Sequence, residues 1–314
     1  MQFDLIDLRL FVRAAEEGAL TRAAARQHLS LAAASARIKA LEQRAGTALL
    51  ERQARGVRLT PPGEAFLHHA RAVLRQTEQL RAELREYGGG LRGHLRVFAN
   101  TTAVTDFLPE LLPAYLREHP RINIDLQEKP NTEIARGVRD GRADLGIVAG
   151  EVDTAGLQAI HFSTDRLVLV APRGHPLARL RRVAFVDTLE HDYIGMHTGS
   201  TLQAYLNQIT EQLGTPLRLR IQLSSFDAMC RMIGAGVGIG VVPETTARRN
   251  LVPMKLAQVE LSDEWRSRER RVLVRAGEPV PGYAQDLIDL LCAHFAAPRP
   301  PAAARARKPR RNAR

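Results

Sequence analysis

LTRAAARQHLSLAAASARIKALEQRAG, residues 20–46, reads as two helices with a very short connection around Leu29–Ser30. The first runs from about Leu20 to His28, with Thr21 near its start. The second runs from about Ser30 to Ala45 and stops at Gly46, a residue suited to ending a helix. Ala23, Ala24 and Leu29 are small or apolar packing residues. On the second helix Ala34, Ile38, Leu41 and Ala45 recur at helical spacing and predict its buried face. Ala32, Ala33, Ser35, Ala36, Arg37 and Lys39 are left nearer the outside. Small residues at the front of a helix allow close approach to the floor of a DNA major groove. Residues 20–60 carry eight basic residues against only Glu42 and Glu51, which supplies attraction to phosphates. Taken alone the pair could equally be an ordinary helical hairpin with a solvated basic face. Its neighbours in the chain decide between the two.

Upstream, Asp7–Glu17 reads as a helix with Leu8, Phe11, Val12 and Ala15 on one face. Downstream, Leu49–Glu51 and Val57–Leu59 read as two short strands around a turn at Ala54-Arg55-Gly56. That strand–turn–strand would form a wing carrying Arg52, Arg55 and Arg58. Pro61-Pro62 then opens a long helix from about Gly63 to Tyr87. Phe66, Ala70, Val73, Leu74, Thr77, Leu80 and Leu84 form its apolar stripe, suited to a partner helix from another copy of the chain. Gly88-Gly89-Gly90 ends it as a flexible joint. From Leu95 onward, apolar or β-branched runs alternate with helical patterns, which predicts an α/β domain with largely parallel strands. The runs are Leu95–Ala99, Ile122–Gln127, Asp144–Val148, Arg166–Val170, Tyr193–Met196, Leu217–Leu223, Ile239–Val242 and Val272–Val274.

Charge along the chain separates its parts. Residues 1–90 hold 14 Lys/Arg and 10 Asp/Glu, whereas 91–297 hold 24 of each, so the middle region is no general polyanion binder. Residues 298–314 hold seven basic residues and no acid, and predict a disordered basic tail, either adding non-specific affinity for DNA or simply solvated without a role. No apolar run approaches a membrane span and Met1–Asp7 is not a signal peptide, which points to the cytoplasm and away from membranes. Cys230 and Cys292 are too few for a disulfide framework or a zinc site, and their apolar helical settings predict inert thiols. His68-His69 and the other histidines show no metal-ligand spacing. The glycines from Gly234 to Gly240 follow a helix and precede a strand. A phosphate cradle needs the reverse order, so they predict a tight turn.

Residues 10–67, LFVRAAEEGALTRAAARQHLSLAAASARIKALEQRAGTALLERQARGVRLTPPGEAFL, resemble the N-terminal signature of LysR-type transcriptional regulators. Phe11, Glu16-Glu17-Gly18, Thr21, Ala23-Ala24, Leu29-Ser30, Ser35, Ile38, Leu41-Glu42, Leu50, Arg52, Leu59-Thr60 and Gly63 carry the likeness, which loosens after residue 90. The resemblance implies a multidomain protein: an all-α winged helix-turn-helix N-terminal domain plus an α/β periplasmic-binding-protein-like (type 2) effector domain. It implies a non-enzymatic, sequence-specific DNA-binding regulator acting as a homodimer or homotetramer on double-stranded promoter or operator DNA. RNA polymerase is a further partner that it leaves open. The DNA-binding residues it implies are Thr21, Ser30, Leu31, Ala32, Ala33, Ser35, Ala36, Arg37, Arg52, Arg55 and Thr60. Leu31 and Ala36 depart from the Gln and Arg frequent at those positions, and neither can hydrogen-bond a base edge. Base reading is therefore expected to lean on Arg37, on DNA shape and on the wing.

The expected divisions are 1–60 for the winged head, 61–90 for the linker helix and 91–297 for the effector domain. Its first subdomain spans about 91–163 plus 268–297, and its second about 164–267; the tail is 298–314. A small-molecule effector of unidentified chemistry, and no cofactor or metal, is expected between the subdomains. Four hydroxyl- or amide-bearing turns match cleft-lining stretches: Asn100, Thr101 and Thr102; Asn131 and Thr132; Gly199 and Ser200; Ser225 and Phe226. Each is a helix N-cap position too, and capping alone would account for the residue types. The competing reading is an enzyme or solute-binding protein of the same α/β fold with a basic helical extension. A helix-turn-helix with wing and linker serves neither of those functions.

Overall fold

The computed structural model describes residues 4–53, 56–87 and 93–296. The expected glycine joint, Arg55 and the basic tail lie outside the described residues, as do the side chains of Arg52 and Leu84.

Three short helices build the head: α1 (Leu5–Glu17), α2 (Leu20–Arg26) and α3 (Leu31–Ala45). Asp4 and Asp7 form a reciprocal capping box that starts α1, and Gly18 ends it at φ +61°. Leu10, Phe11, Ala23, Ala34, Leu41 and Leu49 pack into one small apolar core, so the predicted inner face of the second hairpin helix is the buried one. The wing pairs β1 (Leu50–Gln53) antiparallel with β2 (Gly56–Leu59). Glu42 Oε1 accepts from the Leu49 and Leu50 amides and fixes where β1 leaves the head. At Gly56, φ is +130°, and a Cβ there would lie 2.1 Å from the Gly18 carbonyl oxygen, so only glycine fits. The long helix α4 (Pro61–Tyr87) turns Phe66 edge-on against Phe11, ring centroids 5.0 Å apart, and buries Ala70.

Two α/β halves follow. The first half comprises β3 (Gly93–Ala99), one π turn (Ala103–Phe107), α5 (Leu108–Glu118), β4 (Ile122–Glu128), α6 (Asn131–Arg139) and β5 (Leu145–Ala149). The chain then enters β6 (Leu157–Pro172), a 16-residue strand. Beyond it lie β7 (Arg182–Val183), β8 (Asp192–Met196), α7 (Thr201–Leu213), β9 (Arg218–Leu223), α8 (Phe226–Gly234), β10 (Gly240–Pro243), α9 (Glu244–Asn250) and β11 (Leu256–Leu261). Strand β12 (Ser267–Arg275) returns to the first half, which α10 (Gly282–Ala296) completes.

The sheet order is β4-β3-β5-β12-β6-β11-β7, with β10 also on β6. Strand β6 therefore belongs to both halves. Its first part pairs with β12 from Leu157 to Arg166, and its last part with β10 and β11. The expectation of largely parallel strands needs correcting. Pairs β3–β4, β3–β5 and β8–β9 are parallel, but β12 and β6 run antiparallel to their neighbours because they cross between halves in opposite directions. Each half has its own core, one centred on Tyr193, Phe185 and Phe226, the other on Phe107, Tyr115 and Leu145. No described helix is long and apolar enough to cross a membrane.

Candidate DNA interface and effector cleft

The front of α3 is a shelf of small, outward side chains. Ser30 caps it by accepting from the Ala33 amide at 3.1 Å. Leu31, Ala32, Ala33 and Ala36 are exposed and Ser35 is half-buried, while Thr21 is exposed on α2. Two expected DNA contacts are otherwise engaged. Arg37 Nη1 donates to Asp7 Oδ1 at 2.6 Å and to Asp4 Oδ2 at 3.2 Å, tying α3 to the start of α1. Those hydrogen bonds, Asp7's first, raise the Arg37 pKa. Thr60 is corrected outright. It is buried, its hydroxyl donates to the Ala48 carbonyl at 2.7 Å and accepts from the Gly63 amide at 3.0 Å, so it starts α4.

In the first half, Asn100 follows β3 and Asn131 follows β4, beside the C-terminal end of β5. In the second half, Ser200 and Ser225 follow β8 and β9 and open α7 and α8. The carboxyl edges of parallel strands in α/β folds are where ligands bind. Only part of the expected capping is present. Asn100 Oδ1 accepts from the Ala103 amide and Ser225 Oγ accepts from the Ala228 amide. Thr102 makes no capping bond, because the helical turn has already begun at Thr101. Ser200 makes none either, and its Oγ is buried without a partner in the protein. Thr101 donates to Glu128 Oε1 at 2.6 Å, and Thr132 and Gly199 are exposed. Phe226 is corrected: it is 1 % exposed and sits in the core of the second half.

Two sets of contacts join the halves. The Asn131 amide donates to Thr201 Oγ1 at 3.0 Å, while the Asn131 side-chain NH2 donates to the Ala149 carbonyl. Asp106, buried on the π turn, accepts from Thr245, Thr246 and Arg249 of α9. Sequence reasoning missed Asp106 and α9. It also missed a buried charge cluster on the crossover strands, where Arg268 and Arg270 both pair with Asp165 at 2.9 Å. A separate cavity of about 620 Å³ lies against β6, α9 and β11, lined by Arg166, Arg173, Arg181 and Glu244 among others. None of the expected cleft residues lines it.

Residues 5–64 match the model for the bacterial regulatory helix-turn-helix protein of the lysR family, and residues 88–296 match the LysR substrate binding domain. The chain belongs to the LysR family. Among curated LysR-type relatives, the HTH-type transcriptional regulator CysL of Bacillus subtilis is 26% identical over 263 residues, covering 84% of this chain and 87% of CysL. The regulatory domain of CcmR from Synechocystis PCC6803, solved in complex with 2-PG, is 25% identical with a TM-score of 0.58. That match covers 65% of this chain and 97% of the CcmR domain. A full-length OxyR variant of Pseudomonas aeruginosa shares the fold at 23% identity and a TM-score of 0.69, covering 94% of this chain and 95% of OxyR. This LysR-type chain is thus a transcription regulator with an effector-binding domain, not an enzyme or a solute binder.

Proposed function

We propose that the head reads a pseudo-palindromic promoter or operator site as part of a homodimer or homotetramer. We place the winged head at 1–60, the linker at 61–90 and the effector domain at 91–297. Exposed Val73 and Leu80 on α4 support pairing through the linker helix. Leu31, Ala32, Ala33, Ser35 and Ala36 form the surface offered to the major groove, where Leu31 and the alanines can touch thymine methyls. Arg37 orients that helix through its aspartates. Phosphate attraction falls to Thr21, Ser30 and the wing arginines Arg52, Arg55 and Arg58. RNA polymerase contact belongs to the same reading, and the work is done in the cytoplasm.

A small polar effector binds between the halves at Asn100, Thr101, Thr102, Asn131, Thr132, Gly199, Ser200 and Ser225. The single observation that carries this is the pair of bonded bridges between the two strand-end rims, Asn131 to Thr201 and Asp106 to Thr246. A ligand favouring one relative orientation of the halves shifts the population toward it. Arg71 of α4 supports a route to the head, since it reaches Glu16 of α1 at 3.3 Å and Asp140 beside α6 at 3.8 Å.

The test is retardation of the chain's own upstream DNA at moderate salt, with wild type and Thr102→Val compared across a panel of small polar metabolites. Wild type should bind, with an effector-dependent change. Thr102→Val should lose that change while its stability stays within about 0.5 kcal/mol, because the hydroxyl caps nothing. Failure to retard that DNA would overturn the DNA reading. A full response in Thr102→Val would remove that hydroxyl from the sensor.

A further inference from the structure

The cavity of about 620 Å³ beside α9 is separate from the effector cleft and of a size common for small-molecule sites. Its charged lining is Arg166, Arg173, Arg181 and Arg266 against Glu244 and Glu260. Residues 91–297 are electrically balanced, so this positive surplus is local.

Both acids of the cavity are already engaged. Glu260 pairs with Arg266, while Glu244 pairs with Arg248 at 2.8 Å and accepts from Gln258 at 3.4 Å. Glu269, on the strand beside Arg166, pairs with Arg271 at 3.4 Å. Among the described residues, the Arg166 and Arg181 side chains make no hydrogen bond or ion pair, and Arg173 has only a 3.5 Å bond to the Leu256 carbonyl. A lone surface arginine is simply hydrated. Three around one concavity repel one another, and an anion among them relieves that repulsion.

Strand register orders these groups along the groove. Val168 stands opposite Glu260, whose amide donates to the Arg181 carbonyl, so Arg181 lies toward the Arg166 end. Pro172 stands opposite Leu256, so Arg173 lies at the other end, where the Leu256 amide holds the Leu251 carbonyl. The run of chain from Arg166 to Arg173 is on the order of 20 Å. Leu251 and Val252 wall that second end, and Val252 is 69% exposed. One end thus offers a pair of cations, the other an apolar wall beside a single guanidinium.

We propose that this groove is a second ligand site, for an organic phosphate. Its phosphate oxygens lie between Arg166 and Arg181, and its apolar or ring-shaped body lies along Leu251 and Val252. A planar carboxylate is matched by one guanidinium fork, whereas two arginines from separate segments suit a tetrahedral dianion. Arg173 supplies a flat guanidinium for a ring to stack on. The groove also meets the bridge between the halves. Glu244 and Leu251 bracket α9 and line the groove, while Thr245, Thr246 and Arg249 of the same helix hold Asp106. A ligand that shifts α9 changes the free energy of that bridge, and so acts on DNA affinity by a route distinct from the cleft.

The test is thermal unfolding of the full chain at constant ionic strength with 1-naphthyl phosphate, inorganic phosphate and uncharged 1-naphthol. Naphthyl phosphate should raise the wild-type midpoint saturably, by about 2–4 °C at high occupancy, with phosphate weaker and naphthol inert. Arg166→Gln combined with Arg181→Gln should abolish the shift, and Val252→Ser should reduce it to that of phosphate. All three positions are exposed, so these variants should fold. Ser200→Ala and Thr102→Val should keep the full shift, which separates the groove from the cleft. A shift that survives the double glutamine variant, or that either cleft variant abolishes, overturns the site, as does the lack of any saturable shift with naphthyl phosphate. Inorganic phosphate matching naphthyl phosphate overturns the apolar half of the assignment, and naphthol matching it overturns the anionic half. In retardation of the upstream DNA, naphthyl phosphate should change the wild-type midpoint by about fivefold or more and leave that of the double variant unmoved. No change in wild type, or an equal change in both, overturns the regulatory role. Failure to retard that DNA at all overturns the DNA reading and the regulatory role with it, while the unfolding shifts still judge the site.

Discussion

The fully buried Thr246 hydroxyl donates to Asp106 Oδ2 at 2.7 Å, across the line between the two halves of the effector domain. Thr245 donates to the same oxygen at 2.9 Å and Arg249 to the other at 3.2 Å. Asp106→Ala would leave the Thr246 hydroxyl buried without its acceptor. We expect a loss of about 2–3 kcal/mol in urea unfolding and a larger radius of gyration by small-angle scattering as the halves part. An unchanged urea midpoint would show that this carboxylate closes nothing.

Arg37 should behave as a clamp for α3. Its removal leaves Asp7, whose side chain is 4% exposed, with the Asp4 amide at 3.4 Å and Arg44 at 3.5 Å. Arg37→Ala is expected to cost roughly 1 kcal/mol, discounted for the arginine's partial exposure. It should weaken binding to good and poor DNA sites alike without changing the salt slope. A slope lower by about one counterion would instead put the guanidinium on a phosphate.

Gly63 opens α4 where there is no room for a side chain. A Cβ there would lie 2.0 Å from the Leu49 carbonyl oxygen. Gly63→Ala should destabilise the head by about 2–3 kcal/mol through overpacking against backbone. Chemical denaturation of the full chain, followed by a probe in the head, checks this; a neutral result would show that α4 can shift aside.

Peroxide should not switch this protein through its cysteines. Cys230 lies fully buried in the second half's core, and burial pushes its thiol up to about 12. Cys292 packs against the other core and is also raised by burial. At pH 8 the Cys230 thiolate fraction is then on the order of 10⁻⁴, so alkylation should be at least about tenfold slower there than at half-buried Cys292. Equal rates at the two sites, or loss of DNA binding in mild peroxide that a Cys230→Ala variant escapes, would contradict the burial argument.

The head was legible because its signals are local. Ala34, Ile38 and Leu41 recur at helical spacing and are the buried face. Strand-end turns were legible for the same reason, since Asn100 and Ser225 are cap residues beside short apolar runs. Long-range pairing was not. Asp165 and Arg268 are 103 residues apart, and a charged residue read singly belongs on the surface. The first part of β6 escaped because its residues from Leu157 to Asp165 mix polar and apolar without clean alternation. Helix α9, ETTARRN, has no apolar stripe at all, though it carries the threonines that hold Asp106.

Strand β12 has a consequence for synthesis. It fills the slot between β5 and β6, yet it leaves the ribosome more than a hundred residues after β5 does. At bacterial speeds that delay is roughly 6–25 s. Throughout it β5, whose five residues are all buried in the finished fold, has one bare edge. An unpaired apolar edge invites pairing with a neighbouring nascent chain. The winged head can fold at once from contiguous sequence, whereas the sensor must wait for its last strand. Chains truncated before residue 267 should therefore aggregate where those ending after α10 do not.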